Sequence, residues 1–476
     1  MKPSRGIAPD PSPFHRTIMD KQQHILLIGA GLAGSLLAVY LAKRGFRVDV
    51  YERRPDMRTV RMSAGKSINL ALSARGIHPL REVGLYDEIA PILIPMRGRM
   101  IHPVAGGVVF SPYGKDEHES IHSVSRAELN MRLMDLAEGF ESVSIHFNQR
   151  CTGIDLGSGT VRLRDETSGR EYAVSGDTVI GTDGSASAIR LEMQKGGRFD
   201  YRQDWLEHGY KELLIPPAAD GSFQLDPGAL HIWPRRSYML IALPNTDRTF
   251  TCTLFFPFEG EPSFASIDTP ERLRAWFAEQ FADAVPLMPT LEEDFFGNPT
   301  SSLVTVRCSP WHSGGRVALL GDAAHAVVPF FGQGMNCSFE DCSVLDECIG
   351  RHGADWDTVF REYHLLRKRN ADAIADLALE NFVEMRDKVA DPRFLLSKAV
   401  GLALEQRFPE RFVPKYSMVS FHRIPYAVAL RRGRVQDDIL ERLCEGIARV
   451  EDVDWNLAER LLVDRLLPFH QDIAIN

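Results

Sequence analysis

Three glycines and three acids stand where a nucleotide could be held. Gly29-Ala30-Gly31-Leu32-Ala33-Gly34 follows the apolar run His24 to Ile28 and opens a segment with helical spacing, Ser35 to Ala42. In that setting Gly29 permits a tight turn, Gly31 lets the backbone approach a pyrophosphate, and Gly34 lets helix and strand pack closely. Free amides at the helix start favour the anion. Arg47 to Tyr51 reads as a second strand, and Glu52 closes it eighteen residues after Gly34, where an acid can bind a ribose. Two more acids end later strands. Asp183 lies in Gly181-Thr182-Asp183-Gly184, ahead of a small-residue turn and Arg190. Asp322 lies in Leu320-Gly321-Asp322-Ala323-Ala324-His325, which runs through Pro329 into Gly332-Gln333-Gly334-Met335-Asn336. An acid at a strand end, followed by a glycine-flanked helix start, can hold a chain of hydroxyls and present amides to a ring.

Other residues have the chemistry of ligand contacts but also ordinary explanations. Arg97 and Arg99, two apart, would share one face of a strand and suit bidentate carboxylate binding, or be a solvated pair. Asn381 falls within the helical apolar stripe Ile374, Leu377, Ala378, Phe382 and Met385, so its amide needs either a structural hydrogen bond or a ligand. Met239, Ile241, Leu243 and Phe255 would project onto one sheet face, for which core packing is the default. Tyr113 and Tyr416 read equally as half-buried packing, and Arg126 as a helix-start arginine paired with Glu128. His325, three residues from Asp322, reads as a core histidine, and no metal site is expected. No Ser-His-Asp set or paired carboxylates demand a catalytic role.

The elements that must position these groups follow from pattern. Thr178 to Gly181 and Val317 to Leu320 read as further parallel strands. Between about 205 and 305 the pattern changes to β-branched and aromatic segments, Leu230 to Trp233, Tyr238 to Leu243 and Thr249 to Phe256, an antiparallel sheet inserted into the nucleotide fold. Helical patterns fill most of 335 to 400. The expected organisation is a disordered tail at 1–22, with Met19 as a candidate start; a discontinuous nucleotide domain at 23–200 and 305–385; a substrate-side sheet at 201–304 with parts of 65–125; and a helical region at 386–476.

With 476 residues, 44% hydrophobic and 25% charged, the chain exceeds one simple core. A net charge of −9 argues against a nucleic-acid partner. Seven cysteines without a CxxC pair read as reduced thiols, and no stretch is long and apolar enough for a membrane span, including the charge-interrupted run Leu461 to His470. A soluble cytoplasmic protein, monomer or homodimer, is expected.

The glycine turn, the Asp183-Gly184 pair and the Gly321-Asp322 pair, in this order, resemble the aromatic-hydroxylase class of FAD-dependent monooxygenases. Lys66-Ser67-Ile68-Asn69-Leu70-Ala71-Leu72-Ser73, Met96 to Met100, His208 to Leu213, Leu230 to Pro234, Val328 to Asn336 and Glu380 to Met385 resemble the kynurenine 3-monooxygenase family within it, from about 24 to about 430. The resemblance implies an α/β FAD-binding Rossmann-like fold of the p-hydroxybenzoate-hydroxylase type, with an inserted antiparallel-sheet substrate domain and a helical C-terminal region. It implies tightly but non-covalently bound FAD and hydroxylation of L-kynurenine to 3-hydroxy-L-kynurenine with NADPH and O2, through a flavin C4a-hydroperoxide, in tryptophan degradation. By motif it makes Arg99, Tyr113, Asn381 and Tyr416 anchors of the substrate's amino-acid end. Met239, Ile241, Leu243, Phe255, Pro329, Phe330 and Phe331 become the pocket over its ring, with Phe331 standing where some bacterial relatives have histidine. The cofactor set implied is Gly29, Gly31, Leu32, Gly34, Glu52, Arg53, Arg54, Ala71, Arg126, Cys151, Asp183, Asp322, Gly334, Met335 and Asn336. Only one dinucleotide fingerprint is present, so NADPH is expected to bind transiently. A plain NAD-dependent dehydrogenase would leave Asp183-Gly184 and Gly321-Asp322 without a ligand. A hydroxylase of another aromatic acid and a flavin-bound interaction protein without turnover remain as alternatives.

Overall fold

The computed structural model describes residues 22–59, 69–388 and 391–474. The tail at 1–21, Met19 and the Lys66-Ser67-Ile68 part of one motif lie outside the described residues. The strand His24–Ile28 is central in a six-stranded sheet, with Thr178–Gly181 and then Val317–Leu319 on one side and Arg47–Tyr51 and then Val143–His146 on the other. All of these pair in parallel, and His312–Ser313 closes one edge antiparallel. Continuous apolar runs suit this sheet because helices cover both faces. Leu26, Val179 and Leu319 are fully buried, as are Leu36 and Leu37 of the helix Leu32–Lys43 packed on it.

A second sheet has seven strands in the order Ser301–Ser309, Asp200–Ile215, Phe250–Pro257, Met239–Pro244, Ala229–Pro234, Gly98–Ile101 and Val109–Pro112. It is antiparallel except where Ala229–Pro234 runs beside Gly98–Ile101. Strand periodicity divides its side chains between two cores. Leu240, Leu254 and Phe256 pack with Trp276 and Phe277 of the helix Pro270–Gln280. Met239, Leu243 and Phe255 face the other way, toward Phe330, Ile374 and Phe382. The boundary expected at 304/305 falls inside Ser301–Ser309, because that strand completes the antiparallel sheet before the chain returns to the parallel one.

The helices Gly334–His352 and Trp356–Val383 join the two sheets, and Trp356–Val383 continues as a π-helical turn over Glu384–Lys388. The helices Pro392–Arg407, Tyr426–Leu443 and Trp455–Arg465 enclose a separate apolar cluster around Leu404, Phe412, Ile439 and Leu462. All seven cysteines are free. Among the described residues no helix is long and apolar enough to cross a membrane.

Candidate active site

One cavity of about 560 Å³ runs from the glycine turn of the first sheet to the inner face of the second. The turn forms its floor. Gly29 has φ +108°, and a Cβ there would lie 2.6 Å from the Thr182 carbonyl oxygen, so only glycine fits. Gly31 differs: φ is −73°, which any residue adopts, and a Cβ would meet no protein atom within 4 Å. Neither backbone nor neighbours require glycine at 31. Its missing side chain leaves the helix start open to the cavity, as a phosphate cradle needs. Gly34 is not on the wall; a Cβ there would lie 2.0 Å from the Gly29 carbonyl oxygen, so it serves helix–strand contact.

The acids converge on the same cavity. Glu52 accepts from the Ala30 amide at 2.9 Å and from the Arg54 Nε at 2.8 Å. Burial alone would raise its carboxyl, but these donors hold it below the usual carboxylate range. Asp183 accepts at Oδ2 from the Ala188 amide at 2.7 Å, while its buried Oδ1 has no hydrogen-bond partner among the described residues. Burial raises this carboxyl above its ordinary range. Asp322 is exposed into the cavity, at the start of a short helix after Gly321. Leu32, Arg53, Arg54, Ala71, Arg126, Cys151, Gly334 and Met335 also line it. Arg126 is exposed and makes no ion pair with Glu128 among the described residues; the Glu128 amide is capped by Ser125 Oγ instead. Burial pushes the Cys151 thiol up to about 12, so it stays protonated. An open amide cradle, a buried carboxylate oxygen without a hydrogen-bond partner on a lining residue and an acid after each of three parallel strands fit an FAD nucleotide.

Asn336 is not on the wall. Its Oδ1 accepts from the Ser73 amide at 2.9 Å, and its Nδ2 donates to the Ala71 and Gly332 carbonyls at 2.8 and 2.6 Å. It therefore ties the Asn69–Leu72 strand to the start of the helix Gly334–His352. His325 is similarly structural. Its Nε2 lies 2.5 Å from Asp341 Oδ2, and Asp341 Oδ1 accepts from Arg367 Nε at 2.6 Å. Arg367 and Arg75 each reach Glu340 at 2.5 Å, so two arginines and two acids neutralise one another beneath the cavity.

At the far end Ile241, Leu243, Phe255, Pro329, Phe330 and Phe331 line an apolar wall, whereas Met239 is fully buried behind it. Phe330 packs against Phe255 and Phe382, with ring centroids 4.9 and 4.1 Å away. Asn381 is off the wall as well: its Nδ2 donates to the Phe330 carbonyl at 2.6 Å, fixing the wall rather than facing the space. Arg99 is on the wall and only 3% exposed, yet its Nε and Nη1 have no hydrogen-bond partner among the described residues. Tyr113 and Tyr416 stack at 4.9 Å, and the Arg99 guanidinium lies 5.6 and 5.5 Å from their ring centres. Burial raises both phenols, so they remain donors. Arg97 does not share this site. It falls between the strands Ile94–Met96 and Gly98–Ile101 and is exposed, because the chain there leaves one sheet for another.

Two charged groups beside Arg99 were not singled out from sequence. Glu384 Oε1 lies 3.7 Å from Arg99 Nη1 and 3.9 Å from Lys398 Nζ. Burial, then the nearby Arg99, lowers the Lys398 amine to about 8. Glu384 follows Asn381 by three residues, so helical spacing already put it on that face. For Lys398 no such signal exists, since it comes from the helix Pro392–Arg407.

A family model of FAD-binding domains matches residues 22–377. A kynurenine 3-monooxygenase of Myxococcus xanthus (strain DK1622) is 54% identical over 454 residues, covering 95% of this chain and 98% of the relative. The enzyme of the same name from Dictyostelium discoideum is 45% identical, over 92% of this chain and 97% of its own. Among solved structures, 2-methyl-3-hydroxypyridine-5-carboxylic acid oxygenase superposes with a TM-score of 0.63 at 20% identity, over 81% of this chain and 98% of that one. Pseudomonas aeruginosa PqsL, solved with 2-aminobenzoylacetate, gives 0.63 at 19% identity, over 77% and 97%. These two structures are similar in fold.

Proposed function

The chain belongs to the kynurenine 3-monooxygenase family of FAD-dependent monooxygenases, which use NADPH, and we propose that this long cavity seats the flavin and L-kynurenine end to end. The glycine turn and Glu52 hold the adenosine end, with the pyrophosphate on the open helix start at Gly31. Asp183, Asp322 and the amides at Gly334 and Met335 hold the flavin end. Bound FAD, once reduced by NADPH, supplies the activation of O2 from which one oxygen reaches the substrate's aminophenyl ring.

The chain's own residues orient that ring and keep water away. Arg99 takes the α-carboxylate, with the Tyr113 and Tyr416 hydroxyls as donors beside it. Glu384, next to Arg99, suits the α-ammonium. Asn381 acts through Phe330, whose carbonyl it holds, and so sets the wall against which the ring lies. Ile241, Leu243, Phe255 and Pro329 make this end dry, which favours oxygen transfer over release of hydrogen peroxide.

The observation that carries the reading is Arg99: a guanidinium 3% exposed, with Nε and Nη1 lacking a hydrogen-bond partner among the described residues, on the wall of the cavity that holds the glycine cradle. A buried cation with free donors is built for an anion. Anaerobic reduction of the bound flavin by NADPH, followed at 450 nm against L-kynurenine concentration, tests this. Arg99→Ala should retain FAD but raise the half-stimulating kynurenine concentration by roughly 30-fold or more, from the ~2–5 kcal/mol of a lost buried charge contact. An unchanged concentration would refute the anchor role.

A further inference from the structure

A second cluster of ionisable groups lies outside the cavity, where the loop after Tyr113 meets the C-terminal helices. Glu119 comes from that loop, Glu405 from the helix Pro392–Arg407, and His422 from just beyond the helix Lys415–Ser420. One ligating atom from each lies within 4.8 Å of the others. We infer that Glu119, Glu405 and His422 bind a first-row divalent cation of the Mn²⁺ or Zn²⁺ type.

Glu405 is the most deeply buried of the three. Its side chain is 2% exposed, and neither carboxylate oxygen has a hydrogen-bond partner among the described residues. Buried carboxylates are otherwise paired or hydrogen-bonded, as Glu340 is by Arg75 and Arg367. Lys115 Nζ is the nearest cation, but it stands 3.6 Å from both Glu119 Oε1 and Glu405 Oε1, and its side chain is 40% exposed. It offsets part of the charge from outside without satisfying either oxygen. His422 Nε2 is also without a hydrogen-bond partner and lies 3.8 Å from Glu119 Oε1.

The surroundings position these groups. Glu119 Oε2 accepts from the Lys115 amide at 3.0 Å. Gly114 makes room for that fold, since a Cβ there would lie 2.1 Å from the same oxygen. The fully buried Arg75 donates to the carbonyls of His422 and Ile424 at 3.2 and 2.7 Å, fixing the loop that presents the imidazole. Burial lowers His422, which keeps its nitrogen neutral and able to ligate. Burial and Glu119 raise Glu405, which in the absence of a cation favours a proton.

Two carboxylates and one imidazole suit Mn²⁺ or Zn²⁺ better than Ca²⁺ or Mg²⁺, which take oxygen ligands, or Cu⁺, which takes thiolates. Metal–ligand bonds of roughly 2.0–2.2 Å would draw the three atoms closer by side-chain rotation, with Lys115 turning into solvent. The cation would tie the loop after Tyr113 to the segment that carries Tyr416. The buried group His325, Cys337 and Asp341 also has ligand-type atoms, but Asp341 is already bonded to His325, Arg367 and the Gly321 amide.

Mn²⁺ titrated into the FAD-loaded protein and followed by loss of the free-ion EPR signal tests the site. One ion per chain is expected, weakened by more than about 10-fold in Glu405→Gln and in His422→Gln, with flavin absorbance reporting that each variant is folded. Lys115→Met removes the competing charge and should bind more tightly. No binding to the unaltered protein, or binding that Glu405→Gln and His422→Gln both leave intact, overturns the assignment, as does weaker binding in Lys115→Met.

Discussion

Replacing Gly31 and Gly34 separately by alanine should divide cofactor binding from folding. At Gly31 the backbone is ordinary and no protein atom lies within 4 Å of a new Cβ. Alanine is a poorer N-cap than glycine by about 0.5–1 kcal/mol, but it restricts the unfolded chain by about 0.4–1 kcal/mol, so the two nearly cancel. The protein without FAD should therefore be as stable as the parent. The methyl group would stand in the cradle itself. In the parent, FAD at 100 times its Kd adds about 2.7 kcal/mol, and Gly31→Ala should lose most of that increment. At Gly34 a Cβ would lie 2.0 Å from the Gly29 carbonyl oxygen and 2.7 Å from Thr182 Oγ1. That oxygen also accepts the Thr182 hydroxyl at 2.8 Å, so neither neighbour withdraws without breaking a contact. The helix gain of about 1 kcal/mol for Gly→Ala is outweighed by overpacking of about 3 kcal/mol, leaving a net loss of about 2 kcal/mol with or without FAD. Urea unfolding of each variant, with and without FAD, measures both quantities. A Gly31→Ala protein stabilised by FAD as much as the parent, or a Gly34→Ala protein as stable as the parent without FAD, refutes the reasoning.

The Asp322 side chain makes no hydrogen bond to protein among the described residues and is exposed into the cavity, so Asp322→Ala should leave the FAD-free protein unchanged and lose flavin on gel filtration, read at 450 nm; full occupancy would count against its role. Glu340 lies between Arg75 and Arg367, both buried, and Glu340→Gln should destabilise by about 3–5 kcal/mol in denaturant, since Arg75 loses its acid and Arg367 keeps only Asp341; a loss under about 1 kcal/mol would mean that the network relaxes. His231, 2% exposed, is held neutral down to about 4 chiefly by burial, while an unfolded histidine takes its proton near 6.5. Between those values the unfolded state binds more protons, so stability falls as pH drops. The histidine accounts for about 3 kcal/mol of that loss. His231→Gln should flatten the stability profile between pH 6.5 and 4 by about that amount, and an identical slope would show that His231 is not the group titrating.

Local patterns made much of the fold legible. Continuous apolar runs read as buried parallel strands, and His24–Ile28, Thr178–Gly181 and Val317–Leu319 are such strands. Alternation in Met239–Pro244 correctly divided its residues between two faces, but could not tell which of them reach open space. Met239 and Leu243 share one face; Leu243 lines the cavity and Met239 is sealed behind it. Depth depends on what the facing element brings, here Phe330 and Phe382 from far along the chain. The boundary expected near 304 crosses a strand for a related reason: Ser301–Ser309 pairs with Asp200–Ile215, a partner about a hundred residues earlier.

The same limit explains the site. A motif marks residues within one turn or one strand, so Gly29, Gly31, Glu52, Asp183 and Asp322 were visible, each with its own local reason. The proposed substrate end has no such compactness. Arg99, Tyr113, Glu384, Lys398 and Tyr416 come from five segments, and nothing local separates Arg99 from Arg97 two residues before it. Their environments diverge because the chain changes sheets at Arg97, leaving it exposed while Arg99 enters the interior. A buried amide such as Asn381 is still more ambiguous. Its polarity demands a partner, but whether that partner is a ligand or the Phe330 carbonyl depends on a segment fifty-one residues away. That bond ties the wall at Phe330 to the helix Trp356–Val383, so a residue that does not line the cavity helps to set the shape of the space beside it.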